Sequence, residues 1–158
     1  MINKALFSSD KLDWGTPIDF FKKLDKIFNF ELDVCANKHN TKCENFYSLE
    51  ENSLSQNWNG VCWMNPPYGK LINLWLRKAS EEANINAKSV VCLVPSRTDT
   101  KWFQESVKKA SYVVFLKGRL KFEGSKSSAP FPSALIIFGD INKNQKDELE
   151  KLGVGFNC

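Results

Sequence analysis

The sequence predicts an α/β fold: one domain over residues 1–158, with a mostly parallel sheet flanked by helices. Three observations carry this reading. Short apolar runs rich in β-branched residues recur at 60–64 (GVCWM), 89–95 (SVVCLVP), 112–117 (YVVFLK) and 133–138 (SALIIF). Segments with helical spacing separate several of them, and strands alternating with helices imply parallel strands joined by crossovers. No repeat, low-complexity tract or linker rich in Gly, Ser or Pro divides the chain, and 158 residues suffice for one core.

In chain order, Thr16 and Pro17 make a good helix start, as N-cap and first helical residue. Ile18, Phe21, Leu24 and Phe28 then fall on one helical face. Residues 30–34 (FELDV) form a short strand ending near Asp33. Residues 35–59 are polar and irregular, with at most a short strand around Phe46 and Tyr47. After the strand at 60–64, a helix over 70–84 turns Ile72, Trp75, Leu76, Ala79 and Ala83 inward. The run at 89–95 is continuously apolar, as a strand buried on both faces requires. A helix follows at 100–110, then strands at 112–117 and 133–138, and a solvated helix at 142–152 closes the chain.

Composition excludes several classes. At 42% hydrophobic and 25% charged the chain resembles ordinary soluble proteins. Its first residues, MINKALFSSDKLDW, lack the apolar core of an export signal, and no run approaches the roughly 20 apolar residues that span a bilayer. The expected setting is a reducing cytoplasm, with no membrane partner. Five cysteines form no C-x-x-C pair; Cys62 and Cys92 sit in apolar runs and read as core. Cys35, His39 and Cys43 are evenly spaced, but three ligands without a fourth, at a spacing that matches no zinc pattern, give no metal site. A net charge of +4 permits a polyanionic partner without requiring one.

The chemistry concentrates at Asn65-Pro66-Pro67-Tyr68, where an apolar strand stops abruptly. Prolines cannot donate to a sheet ladder, so the strand must end here, and in open α/β sheets ligands bind beyond the carboxyl ends of strands. An amine conjugated to an aromatic ring is a poor nucleophile because its lone pair is delocalised. An Asn oxygen and the carbonyl of Pro66 can accept its two N–H bonds and draw the nitrogen towards tetrahedral geometry. Tyr68 offers a stacking face. Positioning and charge stabilisation are the catalytic terms such a site can supply. The residues alone also allow a proline-terminated strand whose tyrosine merely covers the core.

In this order, WGTP (14–17), LDVCA (32–36), WMNPPYGK (63–70), LVPSRTDTKWF (93–103), GRLKF (118–122) and APFPSALIIF (129–138) resemble the phage-type DNA N6-adenine methyltransferases, over roughly residues 12–139. That resemblance implies a Rossmann-like class I methyltransferase fold without a separate target-recognition domain. It implies S-adenosyl-L-methionine as cofactor, DNA as partner, and a phage or prophage gene expressed in a bacterial cytoplasm.

By the same resemblance, Asp33 faces the cationic methionine part of the cofactor, and Cys35 and Ala36 follow in place of a glycine-rich loop. Trp14, Thr16 and Pro17 close over the cofactor, Asn65 also touches it, and Asn52 stands where relatives carry an Asp against its adenine. Asn65, Pro66, Pro67 and Tyr68 form the catalytic motif. Phe122 sandwiches an extruded base against Tyr68. Arg119 and Lys121, with Lys117 and Lys126, neutralise phosphates, and Arg97, Lys101 and Trp102 line the same face. With no segment left over for target recognition, the loops at 35–59 and 118–131 or a second copy of the chain in a homodimer must supply it. Cytosine N4, RNA or a protein glutamine as acceptor, and a DNA-binding module without catalysis, stay open at this point.

Overall fold

The computed structural model describes residues 14–158; the reading of the first residues as lacking an export signal lies outside them, apart from Trp14. Six strands make one sheet: β1 (Leu32–Asp33), β2 (Gly60–Met64), β3 (Ala87–Pro95), β4 (Tyr112–Leu116), β5 (Ser133–Gly139) and β6 (Gly153–Asn157). They lie in the order β1-β2-β3-β5-β4-β6. The helices are α1 (Ile18–Phe28), α2 (Ile72–Ile85), α3 (Lys101–Lys109) and α4 (Lys143–Leu149).

The sheet is parallel from β1 through β3, while β5 pairs antiparallel to both β3 and β4, and β6 antiparallel to β4. β1 to β4 therefore share one direction. Val90 to Val94 of β3 and Ala134 to Ile137 of β5 are fully buried, which accounts for their unbroken apolar sequence. Helices α2 and α3 pack together against the middle of the sheet, and α1 and α4 form a second pair. α1 meets β2 where the Phe21 ring packs edge-on to Trp63, centroids 5.5 Å apart. This is the layering of a Rossmann-like methyltransferase fold. Among the described residues, no helix is long and apolar enough to cross a membrane.

Several details depart from the sequence reading. The N-cap of α1 is Pro17, and the Thr16 hydroxyl does not cap the helix. Ile18 stands 47% exposed while Phe21, Leu24 and Phe28 carry the buried face. β1 is shorter than 30–34, although ladder bonds extend it from Glu31 N–H, donating to Val61 O (2.8 Å), to Val34 N–H, donating to Trp63 O (3.1 Å). Its outer edge is covered by Asn45 to Tyr47: Phe46 bridges Asp33 in parallel, and Tyr47 N–H donates to Asp33 O at 2.9 Å. An edge so short and so covered offers little to stray strands.

The closing helix stops at Leu149, opened by a reciprocal cap between Asn142 and Gln145. Beyond it, β6 completes the sheet. The chain there reads GVGFN, and the two glycines hide the strand's alternation. They are required: a Cβ at Gly153 would run into the Phe115 carbonyl, and one at Gly155 into the Tyr112 ring.

Candidate active site

The parallel half of the sheet brings the ends of β1, β2 and β3 to one edge, with Asp33 beside Trp63 and Met64 beside Cys92. Asn65 follows β2 there. Its Nδ2 donates to the backbone carbonyl of Trp14 and, at 2.9 Å, to Thr16 Oγ1. A carbonyl can only accept, so the amide must present its NH2 to Trp14 and aim Oδ1 the other way. That Oδ1 is buried and has no hydrogen-bond partner among the described residues. An unpaired buried acceptor costs roughly 1–3 kcal/mol, and natural structures contain few of them. Thr16, expected as a cap and a cofactor contact, holds the Asn65 amide in place.

Beside Asn65 opens a cleft of about 850 Å³, counted out to the solvent at its mouth. Trp14, Cys35, Ala36, Asn52, Asn65, Pro66 and Pro67 line it, all of them expected at a cofactor or catalytic position. Asn37, Asn40, Tyr47, Ser53, Leu54 and Trp75 complete much of its wall without having been singled out for it. Most of these come from the polar stretch 35–59, whose asparagines could have drawn attention. Trp75 was legible only as helix core. Among the described residues, no Asp, Glu, Lys, Arg or His side chain lines the cleft.

Three expected cofactor residues are not on that wall: Thr16, Pro17 and Asp33. The correction matters most for Asp33. It is 3% exposed, and its two carboxylate oxygens accept the backbone N–H of Cys35 (3.3 Å) and of Lys42 (3.0 Å). Its carboxylate therefore fastens the loop after β1 in shape and stands off the cleft wall. Burial pushes its pKa up to about 6 against the pull of those two amides and of the Lys42 charge.

On the other side of the motif the rings are packed shut. Tyr68 is 6% exposed and Phe122 2%. The Tyr68 hydroxyl donates to Leu93 O at 3.3 Å, and burial drives its pKa far above the usual phenol range. Its ring meets Phe122 at 6.3 Å and Phe131 at 5.8 Å, interplanar angles 86° and 75°, while Trp14 lies edge-on to both phenylalanines. A sandwich needs two facing rings with a gap between them. Tyr68 and Phe122 are perpendicular and in contact, so the expected base slot is closed here.

The family model described as DNA N-6-adenine-methyltransferase (Dam) matches residues 4–151. This chain belongs to that family. Among DNA N-6-adenine-methyltransferase family relatives, the enzyme of Haemophilus phage HP1 is 37% identical over 139 residues, covering 82% of this chain and 80% of the relative. The enzyme of Escherichia phage T1 is 32% identical over 110 residues, 68% of this chain and 45% of its own length. Both carry the name DNA N-6-adenine-methyltransferase.

In this member of the DNA N-6-adenine-methyltransferase family, the segment 118–131 presses Phe122 and Phe131 onto Tyr68. Ala129 N–H donates to Leu120 O at 2.8 Å, folding the segment back on itself. Glu123 ties it down twice, donating its N–H to Gly15 O (2.9 Å) and pairing with Lys42 at 2.8 Å. Lys117, Arg119, Lys121 and Lys126 are exposed along it, and none is paired with an acid among the described residues. Arg97, from the loop after β3, lays its guanidinium over Phe131 at 5.7 Å and so joins this face. Lys101 instead lies 3.7 Å from Glu105 one turn along α3, and Trp102 packs on Phe103.

Proposed function

We propose that the protein transfers a methyl group from S-adenosyl-L-methionine to N6 of an adenine drawn out of DNA, with Asn65 to Tyr68 as its catalytic motif. The observation that carries this reading is the buried, unpartnered Oδ1 of Asn65, oriented by Trp14 and Thr16 beside an open cleft.

The cleft suits the uncharged adenosine part of the cofactor, and Cys35, Ala36, Asn52 and Trp14 would hold it. When bound, the cofactor supplies an electrophilic methyl group. The chain's own residues handle the amine. Asn65 Oδ1 accepts one N–H and the Pro66 carbonyl the other, which localises the nitrogen lone pair. Because the Trp14 carbonyl fixes the amide, no reorganisation is needed when the amine arrives. Tyr68 stays a neutral phenol at any ordinary pH and serves as a ring surface, not a base. Among the described residues no carboxylate lines the cleft, and the departing proton leaves to solvent.

The base enters only if Phe122 and Phe131 move off Tyr68, which requires the segment 118–131 to release its bonds to Gly15 and Lys42. Its exposed cations then meet the phosphates beside the extruded nucleotide. Target recognition rests on that segment and on 35–59, with all 158 residues acting as one catalytic domain.

The test is incubation of the purified protein with S-adenosyl-L-methionine and DNA of varied sequence, followed by nucleoside mass spectrometry. N6-methyladenine is the expected product. N4-methylcytosine alone would overturn the base assignment, and calorimetry showing no binding of S-adenosyl-L-homocysteine would overturn the cofactor.

A further inference from the structure

Two other residues on the cleft wall carry a buried polar atom with no partner among the described residues: Trp75 Nε1 and Ser53 Oγ. Each residue is more than nine-tenths buried, Trp75 at 4% and Ser53 at 4% exposure. Both are built around Trp58. The Trp75 ring stacks on Trp58 with centroids 6.3 Å apart and planes 23° from parallel. Trp58 in turn donates its indole N–H to Ser53 O at 3.0 Å, and its backbone N–H bonds Glu82 Oε2 at 3.2 Å. The fully buried Trp58 therefore holds both the Trp75 ring and the Ser53 backbone on this wall.

An indole N–H is a donor only, so its missing partner is an acceptor; a serine hydroxyl can accept or donate. The chain neighbours of Ser53, Asn52 and Leu54, lie on the same wall, as do Pro66 and Pro67, and no ionic side chain is among them. A carboxylate or ammonium moved onto this wall would lose water and gain no counter-charge. A flat, uncharged heterocycle with an acceptor beside a donor loses far less and satisfies both orphaned atoms. Adenine has that edge, in the ring nitrogen next to its amino group.

We propose that Trp75 and Ser53 read the adenine of the cofactor, Trp75 donating to the ring nitrogen and Ser53 accepting from the amino group. This rests on the reading of the cleft as the S-adenosyl-L-methionine site and adds two residues that decide which nucleoside it takes. In the hypoxanthine counterpart the ring nitrogen carries a proton and the amino group becomes a carbonyl. Trp75 would then face a donor with a donor.

Calorimetric titration with S-adenosyl-L-homocysteine and S-inosyl-L-homocysteine tests this. The wild-type protein should prefer the adenosyl compound at least about tenfold, the scale of one buried hydrogen bond gained against one lost. Trp75→Phe keeps a stacking ring and removes the N–H, so the preference should shrink to about threefold or less, mainly through weaker adenosyl binding. Ser53→Ala should reduce the same ratio less. An unchanged preference in Trp75→Phe, or no preference in the wild type, would each overturn the assignment. Failure of the wild type to bind either compound would instead overturn the cofactor reading beneath it.

Discussion

The two sides of the Asn65-Pro66-Pro67-Tyr68 turn differ sharply. On one side lies an open cleft of about 850 Å³ walled by amides, prolines and small side chains. On the other, Tyr68, Phe122, Phe131 and Trp14 fill the space with edge-on ring contacts between 5.2 and 6.3 Å. The first side comes from the loops after β1 and β2, shaped by Asp33 and Trp58. The second is closed by one segment, 118–131, held by backbone bonds and the Lys42–Glu123 pair. A ligand that needs the cleft can bind the fold as it stands, whereas one that needs the ring side must first pay for separating packed aromatics.

The sharpest way to break that comparison is at Phe122. If the ring side is packed as tightly as core, Phe122→Ala should lose about 3–5 kcal/mol of folding stability, read by chemical denaturation. A loss well under 1 kcal/mol would mean the rings are only loosely closed.

Asn65 stands between the two sides. Asn65→Ala should lower single-turnover methylation by about 10²–10³-fold, the scale for deleting one preorganised transition-state contact. Binding of S-adenosyl-L-homocysteine should stay within about threefold of wild type. Substantial turnover by this variant would remove the proposed mechanism.

The cleft side can be probed through pH. Asp33 has its pKa raised from an ordinary 3.8 to about 6 in the folded state. The folded protein therefore holds a proton that the unfolded chain has released, and Asp33's contribution is complete below pH 3.8 and lost as pH rises through about 6. Denaturation midpoints should fall across that window in the wild type and vary less in Asp33→Asn. Parallel profiles for the two proteins would show that Asp33 titrates alike folded and unfolded.

The smallest effect belongs to the exposed cations on the closing segment. Arg119→Ala and Lys121→Ala should each reduce the salt dependence of DNA affinity by a log–log slope of about 1, measured by anisotropy. Unchanged slopes in both would move the phosphate contacts to Arg97 and its neighbours.

Much of this was legible beforehand because strands with strong apolar patterns are specified locally. GVCWM became β2 with its bounds intact, and the continuous run through Val90 to Val94 became the buried centre of β3. What differed depended on contacts that only the folded chain makes. A Thr before a Pro reads as a helix cap, but the Thr16 hydroxyl is claimed by an amide 49 residues away. A carboxylate at a strand end reads as a ligand contact, yet Asp33 is spent on two amides of its own loop. β6 escaped because glycines forced by Phe115 and Tyr112 leave no pattern to read. The facing rings expected of Tyr68 and Phe122 describe an arrangement with a base between them, and the unliganded chain instead packs the rings on each other.

The tether between Asn65 and the Trp14–Thr16 segment has a consequence for how this enzyme can fail. The amide is oriented by the Trp14 carbonyl and the Thr16 hydroxyl, from the stretch that precedes α1 outside the strands and helices, although the Trp14 ring also packs on Phe122 and Phe131. A protease that nicked the chain at Gly15 would leave a particle that still melts cooperatively and keeps its far-ultraviolet dichroism. Its amide, however, would be free to flip, presenting NH2 where an acceptor is needed. Loss of activity would then precede any loss of fold, and a preparation judged sound by its melting curve alone could be chemically silent.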